Sequence, residues 1–94
     1  MTDAAQTAAA EQDRLIGELL RALATDDALD PHVLEIRAQL AEATARTGAH
    51  EDAVKQADEL LKDAQREHGP EHPSALRARA AVDLVLDLAG IERS

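Results

Sequence analysis

Residues 68–76 read His-Gly-Pro-Glu-His-Pro-Ser-Ala-Leu (HGPEHPSAL) and lie between two Ala/Leu-rich segments. Gly69-Pro70 ends the first segment. Pro73 opens the second, because proline breaks a helix interior but fits its first position, where no backbone donor is needed. The same punctuation stands upstream at Asp30-Pro31, with an aspartate suited to cap a helix start. Pro31 and Pro73 are 42 residues apart, and so are Leu34 and Leu76, Arg37 and Arg79, Ala38 and Ala80, Leu40 and Val82, and Gly48 and Gly90. In an alanine-rich chain the shared alanine says little. The proline and glycine pairs say more, since each marks a helix boundary. The repeating unit reads as helix, tight turn (Gly48-Ala49-His50), helix, then a stiff linker from His68 to Pro73. Prolines in that linker limit the unfolded chain and fix the angle at which the next hairpin stacks.

Working outward, the spacing predicts an all-α chain of four antiparallel helices at about 9–25, 32–47, 51–67 and 74–89, with 1–8 as a tail and 9–94 as one domain. In the first helix Leu15, Ile16, Leu19, Leu20 and Leu23 fall on one face. In the second, Val33, Ile36, Leu40, Thr44 and Thr47 share a face opposite Glu35, Glu42 and Arg46. The third has a narrow stripe of Ala53, Val54, Ala57, Leu60, Leu61 and Ala64 on an otherwise polar surface, as expected of an outer helix. The fourth differs: apart from Arg77, its apolar residues cover an arc of about 240°, leaving Arg79, Asp83 and Asp87 along one edge.

Composition narrows the function. The net charge is −9 and there is no Phe, Tyr or Trp. Phosphate backbones and anionic lipid are therefore disfavoured partners, and no aromatic platform exists for stacking a base. No cysteine is present, so neither disulfide nor thiolate chemistry arises. With no leader-like or membrane-length apolar run, the expectation is a soluble cytoplasmic protein.

The stretch from Asp30 to Gly90 resembles the 42-residue tetratricopeptide repeats of the kinesin-light-chain type, common in bacterial multi-repeat proteins. Gly69-Pro70-Glu71-His72-Pro73-Ser74-Ala75-Leu76 is similar to that family's Gly-Pro-Asp-His-Pro-x-Thr-Leu linker. Leu40-Ala41 resembles its core pair, and Gly48 and Ala53 its turn and small packing site. Gln39 stands where that family usually has Asn, and Asp83 takes the small-residue position of the second copy. The resemblance implies one complete hairpin repeat, a preceding second-type helix and a following first-type helix. It also implies a protein-binding groove lined by Glu35, Ala38, Glu42, Ala45 and Arg46, continued by Arg77, Ala80 and Leu84.

Four further residue sets bear on function. His68 and His72 are four apart, but Gly69-Pro70 prevents one helix from joining them, so they read as exposed turn histidines and no metal site is expected. The carboxylate pairs Asp26/Asp27, Glu51/Asp52 and Asp58/Glu59 read as solvated surface, so neither catalysis nor a cofactor is expected. Arg37 and Arg79 are either stems covering core or ligands for a peptide carboxylate. The fourth helix is greasier than a terminal helix should be. Either it is the centre of a compact bundle, or Val82, Val85, Leu86 and Leu88 meet another subunit or a partner helix. The sequence thus leads to a non-enzymatic protein–protein interaction module that also forms a homodimer through its last helix. The alternative is a small acidic regulator, inhibitor-like or antitoxin-like, that neutralises a basic partner.

Overall fold

A computed structural model describes residues 4–91 of the chain. Among them are four helices and no strand: α1 (Ala4–Leu23), α2 (Pro31–Arg46), α3 (His50–His68) and α4 (Pro73–Ala89). The fold is all-α, built from helical hairpins. α1 begins inside the stretch read as a tail, because alanine-rich sequence propagates helix readily and Ala8 is buried. Residues 1–3 of that expected tail, and residues 92–94 at the other end, lie outside the described residues.

The two proline boundaries are built alike. Pro31 is the first residue of α2; Asp30 before it is extended (φ −60°, ψ 140°), and its carboxylate accepts the His32 N–H at 2.9 Å. Pro73 is the first residue of α4; His72 before it is extended in the same way (φ −66°, ψ 145°), and its Nδ1 accepts the Ser74 N–H at 3.0 Å. Both caps satisfy a donor that the first helical turn cannot satisfy internally. Downstream, Gly48 and Gly90 both take positive φ (97° and 74°), a conformation that costs glycine nothing because it has no Cβ. The 42-residue spacing is therefore a repeat of geometry as well as of letters.

The linker histidines are half-buried fasteners rather than the exposed turn residues expected. His68 Nε2–H donates to the Leu29 carbonyl at 2.8 Å, and its ring stacks on that of His72 with centroids 4.6 Å apart. The linker is thereby tied to the segment that precedes α2.

Packing also repeats. α1 rests on α2 through Leu15, Leu19 and Ala22 against Val33, Ile36, Leu40 and Ala43. Forty-two residues on, the counterparts of those α2 residues are Ala75, Ala78, Val82 and Val85. These are the residues that α4 turns toward α3, where they meet Ala53, Ala57, Leu60 and Ala64. Thr44, the buried polar side chain of this core, donates to the Leu40 carbonyl at 2.8 Å and accepts from Gln12 on α1 at 3.0 Å.

α2 is the helix that touches all three others. Among the described residues, α4 packs on α2 and α3, and α1 on α2 alone. The reading of α4 as the centre of a compact bundle is therefore corrected. Alanine misled it: Ala38, Ala41, Ala43 and Ala45 surround α2 and are all buried, giving it no solvated face of the usual width. The result is a slab of 41 × 37 × 17 Å, open at both ends of the helix series.

Candidate functional site

The residues assigned to a groove do not converge on one. Ala38 is fully buried, in a cluster with Leu34, Leu60, Ala64 and the α4 alanines 75, 78 and 81. Ala45 is buried in the cluster of Ala41, Ala53, Ala57 and Val85. Arg46 is exposed on the other flank, where it borders an open hollow of about 610 Å³ with Thr7, Ala8, Glu11 and Ala43.

Glu35, Glu42 and Arg77 do come together, but with one another. Arg77 Nε donates to both Glu35 carboxylate oxygens at 3.1 Å. Its Nη1 and Nη2 hold the two oxygens of Glu42 at 2.8 and 2.9 Å. This two-pronged pairing is the strong form of a charge-assisted hydrogen bond. It raises the Arg77 pKa further above its ordinary value, chiefly through the bond to Glu42. Glu35 and Arg77 are themselves repeat counterparts, so stacking brings equivalent positions side by side and the sequence gives them opposite charge. The trio clasps α4 to α2 rather than offering an arginine to a ligand. Arg77→Met is expected to lower the urea-unfolding free energy by about 1–2 kcal/mol, since Glu42 is left poorly solvated and unpaired. Removing Glu42 as well (Arg77→Met with Glu42→Met) should recover part of that loss.

Arg37 is likewise occupied: its Nη2 donates to Asp63 on α3 at 3.0 Å, and Asp63 also accepts from Arg66 at 2.8 Å. Arg79, its counterpart, is exposed. The stem-and-pair reading fits Arg37 better than the peptide-ligand reading.

The residues assigned to self-association divide. Val85 is fully buried against Ala41, Ala45, Ala53 and Ala57, so it belongs to the monomer core and cannot contact a partner. Val82 and Leu86 are half-buried beside Val54, Lys55 and Asp58 in a shallow hollow of about 240 Å³. Leu88 is exposed, and Leu84, a groove candidate rather than a self-association one, is half-buried.

A site emerges when α4 is compared with α2 position by position. On α2, Leu34, Ala38, Ala41 and Ala45 are at most 2% exposed, because α3 and α4 cover them. Their counterparts on α4 are Leu76, Ala80, Asp83 and Asp87, and all four are exposed, Leu76 by 54%. Leu88 and Ile91 extend this open face at 41% and 48%. Sequence reading found the excess of apolar residues on this helix but placed the free face too near Val85. The signal that locates it is the counterpart of each α4 residue 42 positions earlier.

A second exposed stripe escaped the sequence reading. Ile16, Leu20 and Leu23 line the outside of α1, while Leu15 turns inward. The five apolar residues expected on one face occupy two sides of α1: Leu15 and Leu19 pack toward α2, and Ile16, Leu20 and Leu23 are exposed.

No family model, no curated protein and no solved structure matches this chain. Among the described residues no helix is long and apolar enough to cross a membrane.

Proposed function

We propose that this chain is a non-enzymatic protein-interaction module of the tetratricopeptide type, working in the bacterial cytoplasm, which holds a helix of another protein on the open face of α4. One observation carries this reading: the same helix face is covered on α2 and bare on α4. An apolar face that none of the described helices covers gains roughly 25 cal/mol for each Å² that a partner covers.

Self-association through α4 is the competing occupant. The stripe runs from Leu76 to Ile91, so its midpoint lies at Asp83 and Leu84. Two-fold pairing about that midpoint would set the two Asp83 carboxylates beside each other, in chains that each carry a charge of −9. A different protein suits the face better than a second copy. The acidic-regulator reading shares this surface, and Asp83 and Asp87 favour it within the same proposal.

The test is position-specific. A photo-crosslinking residue at Ala80, on the bare face, should give discrete adducts in the native cell. The same residue at Lys62, on the outside of α3, should give few. Equal labelling from both positions would contradict the proposal, and adducts of twice the chain mass would point to the homodimer.

A further inference from the structure

We infer that the start of α4 carries an acid-sensitive cap, through which the chain holds this helix more tightly near neutral pH than under mild acid. Pro73 has no backbone N–H, and the next three N–H groups of α4 all end on His72. Ser74 donates to its ring Nδ1 at 3.0 Å, and Ala75 and Leu76 donate to its carbonyl at 2.9 and 3.0 Å. An imidazole accepts through Nδ1 only while that nitrogen carries no proton. Protonation turns the acceptor into a donor that faces the Ser74 N–H. It also sets a positive ring at the positive end of the helix dipole. Histidine is the side chain that ordinarily changes charge between about pH 5 and 8. The repeat equivalent of His72 is Asp30, which caps α2 by accepting the His32 N–H on its carboxylate. Carboxylates ordinarily titrate well below the histidine range. One repeat position thus holds an acid-insensitive cap on α2 and an acid-sensitive one on α4.

The surroundings of the ring leave this effect standing. His68 of α3 stacks on His72 with centroids 4.6 Å apart, so two protonated rings would repel each other. His68 is itself insensitive as a donor, because its Nε2–H can reach the Leu29 carbonyl from either the neutral or the protonated ring. The charged neighbours are Glu67 on α3, Glu71 in the linker, Asp30 and Glu35 at the start of α2, and Arg77 on α4. Glu35 is bound by Arg77, and Asp30 by the His32 N–H. Glu67 and Glu71 are exposed, so water and salt screen their attraction for a protonated ring. Release of the cap loosens the end of α4 that carries Leu76, whether or not a partner sits there.

The experiment is urea unfolding of the full chain at about pH 7.5 and 5.5, on either side of the ordinary histidine midpoint. Across that interval the unfolding equilibrium constant of the parent should rise about fivefold more than that of His72→Asp, which caps α4 as Asp30 caps α2. His68→Gln keeps a donor for the Leu29 carbonyl and removes the ring stack. It should retain the pH dependence of the parent to within about twofold. Equal pH dependence in the parent and His72→Asp overturns the inference. Loss of the dependence in His68→Gln also overturns it, because the stack rather than the cap would then be the sensor. The ring ¹⁵N resonances of the parent give a reading that needs no variant to fold. At about pH 7.5 they should place the His72 proton on Nε2, and a proton on Nδ1 would overturn the inference.

Discussion

Leu34→Ala should cost about 3 kcal/mol of unfolding free energy, whereas Leu76→Ala should cost less than about 0.5 kcal/mol, although the two leucines hold the same place in the repeat. Leu34 is 2% exposed and packs in the cluster of Leu60, Ala64, Ala75 and Ala78. Truncating it leaves a cavity among alanines, which are too small to close it. Leu76 has no covering helix, so shortening it mainly exchanges one wet surface for another. For a domain of this size, whose total stability is of order 5–15 kcal/mol, the first loss is a large fraction of the whole. Urea denaturation of the two variants side by side makes the comparison. Equal losses would mean that α4 is covered in solution.

Replacing Asp83 and Asp87 by alanine restores on α4 the small-residue pattern that α2 shows at Ala41 and Ala45. The parent chain should sediment as a species of 10.1 kDa at micromolar concentration. The double variant should self-associate at least tenfold more tightly, equivalent to about 1.4 kcal/mol, because two α4 faces can then meet without burying carboxylates. A parent that is already dimeric would favour the homodimer expected from the sequence. A variant that stays monomeric would show that these two aspartates do not guard the face.

Much of the fold was legible before the structure. Helix boundaries came from Pro31 and Pro73, whose rings fix φ and lack a backbone donor, and from Gly48 and Gly90, which take the positive φ that residues with a Cβ avoid. The centre of the packing was not legible, since it depends on alanine. Ala38 and Ala80 are the same residue at the same repeat position, one buried and one exposed, and only the presence of a neighbouring helix distinguishes them. The site was half legible for a related reason. The surplus of apolar residues on α4 is visible in the letters, but which of them the monomer buries is not. Val85 and Leu88 look alike in sequence and differ in which side of α4 they occupy. The Arg77 clasp was not legible, because in sequence an arginine that lines a groove looks the same as one that pairs across two helices. Its partners, Glu35 and Glu42, were named as neighbouring groove residues and not as its ligands.

The central claim is that the helix face covered on α2 is bare on α4. The chain has no cysteine, so a single thiol can report on each face. In Ala38→Cys and Ala80→Cys variants, the rate of labelling by a thiol reagent measures access directly. We predict that position 80 reacts within a few-fold of the unfolded chain, and that position 38 reacts at least a thousandfold more slowly, on the order of the global unfolding equilibrium. Protection of position 80 in the isolated chain, or rapid labelling of position 38 under conditions where the helices persist, would contradict the account.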